Sequence, residues 1–208
     1  SYVAAGGAGL RVVDISEPTN PKEISFVNTP GYTEGVTVAG LYAYVADGAA
    51  GLRVVDISDP AHPREVGFVY ILGYAFDVEV VGYYAYVAGA GAGLRVVDIS
   101  KPTHPVEVGG FDTPGYAYGL TVIGNTAYVA DGWEGLRLIN VNNPKSPKEV
   151  SFYDTPGWAF DIAVVGNTVY VADAFAGVRM IDISNQNNPI EIGAYEGHVD
   201  IHDIDIIG

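Results

Sequence analysis

GLRVVDIS occupies Gly51–Ser58, and the same eight letters stand at Gly9–Ser16 and at Gly93–Ser100. Two looser copies follow, GLRLINVN at Gly135–Asn142 and GVRMIDIS at Gly177–Ser184. The spacing is 42 residues and never slips. Tyr2, Tyr44, Tyr86, Tyr128 and Tyr170 keep it, as do Arg11, Arg53, Arg95, Arg137 and Arg179. So do Pro21, Pro63, Pro105, Pro147 and Pro189, and Glu23, Glu65, Glu107, Glu149 and Glu191. A fixed period of this length, about 20–50 residues, marks a chain built from copies of one supersecondary unit.

Outward from the octet, the unit reads as four strands. The octet's run of Leu, Val and Ile suggests a strand buried on both faces. Before it, Ala75–Val81 alternates and is rich in Val, and Ala85–Ala88 follows after Gly82-Tyr83. The matching links, Gly124 before Asn125-Thr126 and Gly166 before Asn167-Thr168, suit hairpin turns that need positive φ. After the octet, Pro102 and Pro105 break the chain before a fourth strand, Val106–Phe111, and Thr113-Pro114-Gly115 turns into the next copy. No stretch carries a helical apolar stripe, so the chain reads as all-β. Four strands per period of about 40–50 residues is the blade of a β-propeller; a parallel β-helix uses a shorter coil. The expectation is one domain, residues 1–208, of five blades. Ile201–Gly208 would be an innermost strand pairing with Tyr2–Ala5 to close the ring, the alternative being a slice of a longer array.

Composition narrows the partners. The 208 residues carry 25 Asp+Glu against 10 Lys+Arg, a net charge of −15, and 49% are hydrophobic. That charge repels phosphate backbones and anionic lipid, so neither nucleic acid nor direct membrane insertion is expected. No apolar run reaches the ~20 residues of a membrane helix. Ser1–Ala5 shows neither a basic nor an apolar leader region, so any signal peptide is expected to be gone already. The absence of cysteine excludes a disulfide scaffold, Cys-ligated zinc and a thiol nucleophile. P-loop, dinucleotide, nucleophile-elbow and HExxH motifs are also missing.

The invariant residues read as scaffold. Arg on the third strand faces Glu on the fourth, a cross-strand ladder repeated in each copy. Asp14, Asp56, Asp98 and Asp182, with Asn140 in their place once, close the third strand before the turn, where a side-chain oxygen accepts a hydrogen bond.

Function is expected where the copies differ. The loop after the second strand reads Ala5-Gly6-Gly7-Ala8, Asp47-Gly48-Ala49-Ala50 and Gly89-Ala90-Gly91-Ala92. It then becomes Asp131-Gly132-Trp133-Glu134 and Asp173-Ala174-Phe175-Ala176. The loop into the next copy contributes Tyr32, Tyr74, Tyr116 and Trp158. Trp133, Trp158 and Phe175 are expected to form an aromatic platform with Asp131 and Asp173 beside it, binding a sugar ring or a partner protein. The plain alternative is rings covering the core. On the innermost strands, Asp77, Asp161 and Asp203 are expected at the channel mouth, either around a cation such as calcium or capping loop amides. In the fifth copy, alternation puts His198, Asp200 and His202 on one side, a candidate transition-metal set. Same-side neighbours lie about 6–7 Å apart, too far for three ligands without a bend. His62 and His104 sit in Pro-bounded turns and read as solvated.

The repeated [LV]-R-[VLM]-[VI]-[DN]-[IV] core resembles the LVIVD repeat, with A-Y-V-A-D-G before it and P-x-x-P-x-E after it. Ala75–Val78 and Ile201–Ile204 look like that family's inner-strand pattern. The family is found mainly in bacterial and archaeal surface and secreted proteins, and its blades are taken to build propellers. The resemblance spans Tyr2–Gly208, implies an extracellular or cell-surface, non-enzymatic role, and transfers no catalytic residues. The expectation is therefore a structural or interaction module that needs no cofactor and binds a protein, a glycan or copies of itself, as in a surface assembly or filament. The alternative is a secreted hydrolase, carboxylate- or metal-dependent, acting on polysaccharide through an acidic channel mouth.

Overall fold

Val, Ile, Tyr and Thr crowd the middle of each repeat, and these residues fit a pleated, densely covered surface. A computed structural model describes residues 1–197 and 200–206, and among these every regular element is a β-strand. Contacts divide the chain into two units, Ser1–Val87 with Val96–Val108, and Ala88–Arg95 with Gly109–Gly208.

In the first unit, β1 (Tyr2–Ala4), β2 (Leu10–Asp14) and β3 (Lys22–Val27) form a three-stranded antiparallel sheet in that order. β4 (Gly35–Ala39), β5 (Tyr42–Ala46), β6 (Leu52–Asp56) and β7 (Arg64–Val69) form a four-stranded meander. A third sheet, whose residues are divided between the two units, has the same order along β8 (Asp77–Val81), β9 (Tyr84–Ala88), β10 (Leu94–Asp98) and β11 (Val106–Phe111). The second unit holds two more meanders. One is β12 (Gly119–Ile123), β13 (Thr126–Ala130), β14 (Leu136–Asn140) and β15 (Lys148–Tyr153). The other is β16 (Asp161–Val165), β17 (Thr168–Ala172), β18 (Val178–Asp182) and β19 (Ile190–Tyr195).

The octet strands are central, so neighbours cover both faces: β6 and β10 are buried at four of five positions, as the unbroken apolar run implies. Leu52 and Val54 pack with Ala75, Val78 and Val87 in the first unit; Leu136 and Leu138 pack with Ile162, Val171 and Ile181 in the second. The strand-closing Asp residues accept as expected: Ser58 donates its N–H to Asp56 at 3.0 Å, and Asn142 donates to Asn140 at 3.0 Å. The hairpin glycines Gly40, Gly82, Gly124 and Gly166 all take φ near +60°.

Two-residue bridges join the loop after each second strand to the entry of the next sheet. Within the first unit these are Gly6 with Thr33 and Gly48 with Ala75; within the second, Ala90 with Ala117, Gly132 with Ala159 and Ala174 with Ile201. Ile201 is thus in phase with its predecessors, but the strand expected over Ile201–Gly208 is not there among the described residues. Residues 202–206 form no ladder, and β1 is paired on one side by β2 in its three-stranded sheet. Ile204 instead donates its N–H to the Asp161 carboxylate at 3.0 Å, so a side chain takes the place of a backbone partner.

Three of these loops, those that begin with Asp47, Asp131 and Asp173, are anchored from beneath. In the Thr-Pro-Gly turns, the Thr hydroxyl and the Gly N–H both donate to one buried Asp. Thr29 and Gly31 hold Asp47 in the first unit, and Thr113 and Gly115 hold Asp131 in the second, as Thr155 and Gly157 hold Asp173. A methyl group on Gly115 would lie 2.1 Å from the Asp131 carbonyl oxygen, which as backbone cannot yield. Gly115→Ala is therefore expected to lower stability by about 2–3 kcal/mol, read in urea denaturation.

Candidate binding cleft

The Asp-Gly loop between β13 and β14 presents Trp133, and its counterpart between β17 and β18 presents Phe175. Asp131 and Asp173, expected beside these rings as binding carboxylates, face the other way. Both are fully buried, each clamped by its Thr hydroxyl and Gly N–H and lying 3.6–3.7 Å from the Nε of Arg137 or Arg179. Burial pushes the Asp131 carboxyl up to about 6, against the opposing pull of Thr113, Gly115 and Arg137. Asp173 is raised for the same reason. These carboxylates hold the loops that carry the rings and are themselves shut off from solvent.

Trp133, Trp158 and Phe175, by contrast, are brought together. They line one cleft of about 480 Å³ with Phe160, Pro156, Ala174 and Ala176, closed at one edge by Asp200 and His202. Trp133 and Trp158 meet at 4.6 Å between ring centroids, tilted by 59°. Trp158 stacks on Phe160 at 6.1 Å, and Phe160 on the His202 imidazole at 4.2 Å. Tyr118 packs behind against Phe160 at 5.1 Å. Its hydroxyl is pushed up by burial. Trp133 and Phe175 are 66% and 81% exposed, which leaves their rings free for a partner.

The repeat explains why an opening forms here. In earlier copies the aromatic of the following loop lies on the turn glycine: a methyl on Gly48 would sit 2.7 Å from the Tyr74 ring, and one on Gly132 3.0 Å from Trp158. In the fifth copy the equivalent of Tyr74 and Trp158 is Asp200. Asp200 brings no ring to Ala174, so among the described residues Phe175 lacks the lid that Tyr74 and Trp158 give the earlier loops. Phe160 and His202 were not linked to the platform by sequence reasoning, although Trp158 and Phe160, two apart in an extended segment, necessarily share a side.

The remaining candidates are engaged elsewhere. Asp77, in the first unit, accepts the Val78 N–H at 2.8 Å, and Asp161, in the second, accepts from Ile204. Asp203 is exposed. His198 lies outside the described residues; its companions Asp200 and His202 pair with each other at 3.0 Å. Among the described residues no group of three or more His, Asp or Glu is placed to hold a metal ion. His62 and His104 lie in exposed turns beside Asp59 and Thr103.

Antiparallel sheets, one per 42-residue repeat, with a cleft where the loops deviate from the repeat, define a β-repeat protein. The chain belongs to the LVIVD repeat family, whose model matches residues 1–29, 30–70, 72–113, 114–155 and 156–197. Among solved structures it is similar to the computationally designed Ika8 protein, with a TM-score of 0.74 at 10% identity over 96% of this chain. The chain spans 59% of that protein's length, and the likeness concerns the fold alone. No curated protein matches it.

Proposed function

We propose that this protein is a non-catalytic interaction module, on the cell surface or outside the cell, that binds a protein or glycan through the cleft of Trp133, Trp158 and Phe175. The observation that carries the proposal is the exposure of Trp133 and Phe175 at loop positions where the other repeats have Gly or Ala. Scaffold needs do not account for these rings, and exposed aromatic surface of this kind typifies recognition sites. The extracellular or cell-surface setting rests on the family resemblance. The same proposal takes the five sheets as blades of a propeller, closed as the repeat count suggests.

The test uses the chain's own optics. Its two tryptophans, the full complement, both line the cleft, so emission reports occupancy. Chito-, cello- and xylo-oligosaccharides, Pro-rich peptides and unlabelled copies of the protein serve as probes, with calorimetry in parallel. A binding probe is expected to shift the emission, and Phe175→Ala to weaken it at least about tenfold with little change in melting temperature. Tight binding that leaves emission and the Phe175→Ala variant unaffected would place the working surface elsewhere.

A further inference from the structure

Resting on that reading of the cleft, we infer that its occupant is a quaternary ammonium group, as in a trimethylated amine. The lining is ring and methyl surface from Trp133, Trp158, Phe160, Phe175 and Ala174, with polar side chains at one edge, Asp200 and His202. Those two already pair with each other, 3.0 Å apart. A sugar brings several hydroxyls, each of which gives up water and needs a directional partner; the cleft has too few to offer. A primary ammonium is worse placed, since it is strongly hydrated and carries three donors. A quaternary ammonium has no donor at all. Its charge is spread over methyl groups, which fit apolar walls and are attracted to the faces of tryptophan above all other side chains.

Charge points the same way. Asp200 puts a carboxylate at the rim, 37% exposed, where a cation seated on the rings gains from it without stripping its water. The chain's net charge of −15 concentrates cations near every surface cleft and repels anions. The cation is therefore one without a neighbouring phosphate, as on a trimethylated side chain of a partner protein, for which choline serves as the probe, rather than a phosphocholine headgroup. The position where earlier repeats place Tyr74 or Trp158 is the one that carries this carboxylate, so the change that opens the cleft also supplies its charge.

The experiment titrates choline, phosphocholine, the neutral isostere 3,3-dimethylbutan-1-ol and cellohexaose into the intact protein at low salt, followed by tryptophan emission and calorimetry. Choline is expected to bind at least about tenfold more tightly than the neutral alcohol, because only the cation gains from the ring faces. Phosphocholine is expected to bind more weakly than choline, and Asp200→Asn to weaken choline several-fold while leaving the neutral alcohol unchanged. As Asp200 is exposed, that variant should melt with the parent. Equal binding of choline and its isostere would overturn the inference and leave an apolar cleft. Phosphocholine binding more tightly than choline would overturn the unphosphorylated source. Cellohexaose binding without choline would refute the inference and keep the interaction module. Silence from all four together with an inert Phe175→Ala variant in the wider panel would remove both.

Discussion

Asp131→Ala is expected to cost about 3–5 kcal/mol of folding stability, measured by urea denaturation at neutral pH. The carboxylate is fully buried and accepts from two groups that have nowhere else to turn, the Thr113 hydroxyl and the Gly115 N–H. Each buried donor left alone costs about 1–3 kcal/mol. Arg137, its side chain 5% exposed, also loses its one fully buried counter-ion, keeping Glu134, Glu149 and Asp154 at the rim. Relief of the desolvated charge offsets part of this loss, which keeps the figure below the sum of its parts. With the clamp gone, the loop that carries Trp133 loses its anchor, so binding by the folded fraction should weaken alongside the loss of stability. Loss of binding at unaltered stability would restore Asp131 to the ligand surface.

The same residue sets a pH dependence. Burial raises its carboxyl from 3.8 to about 6, so the folded state holds this proton more tightly than the unfolded chain does. Its contribution is complete below pH 4, falls as pH rises from about 4 to 6, and is gone above; two units correspond to about 3 kcal/mol. Asp173 acts in the same direction. Asp56 opposes them from the acid side: hydrogen bonds from Ser58, then Arg64, hold it down to about 2, so its contribution disappears as pH drops from about 4 towards 2. Stability should therefore peak near pH ~4 and decline towards neutrality. Asp131→Asn should flatten much of that decline, with Asp173 preserving the rest.

Much of this was open to reading from residues alone. The fourth strand of the third repeat runs over Val106–Phe111 as its boundaries imply, because Pro105 on one side and Thr113-Pro114 on the other leave no freedom. The Arg–Glu pairing was also legible, at 3.3 Å for Arg11 with Glu23 and 3.5 Å for Arg53 with Glu65. Its depth was not. Strand order cannot show that Phe68 lies over the Arg53 guanidinium at 4.7 Å, or Phe152 over Arg137 at 4.5 Å, turning a surface ladder into buried cations. The anchoring role of Asp131 had a signal that a loop-by-loop reading passes over. Thr29 goes with Asp47, Thr113 with Asp131 and Thr155 with Asp173, while the third copy loses both partners together, as Ile71 and Gly89. Arg95, deprived of that Asp, turns to Asp112 and to the Ala92 carbonyl. The platform rings were legible as deviations from the repeat. Their confluence with His202 also had a signal in the period: His202 stands 42 residues after Phe160, as Phe160 does after Tyr118, and Ala174 bridges Ile201 as Gly132 bridges Ala159.

Trp133→Ala and Arg137→Ala, four residues apart, should separate the two halves of the protein's design. Trp133 is mostly solvent-exposed and gives up one tilted contact with Trp158, worth about 0.5–1.5 kcal/mol, so stability should fall by no more than that. Ligand affinity should fall by at least about thirtyfold, since an exposed tryptophan at the centre of a cleft is the typical energetic anchor. Arg137→Ala should do the opposite. It strands Asp131 in the interior and takes from Glu134 and Glu149 the guanidinium that both contact, at a cost of about 3–5 kcal/mol. The molecules that remain folded keep the Thr113 and Gly115 clamp on the loop, and with it the position of the rings, so their affinity should match the parent. Denaturation curves and emission titrations on both variants, corrected for folded fraction, read the two quantities independently. Parallel losses of affinity in the two would mean that the loop geometry is set by the guanidinium and not by the clamp. Unaltered affinity in Trp133→Ala would mean that the exposed rings are not the binding surface.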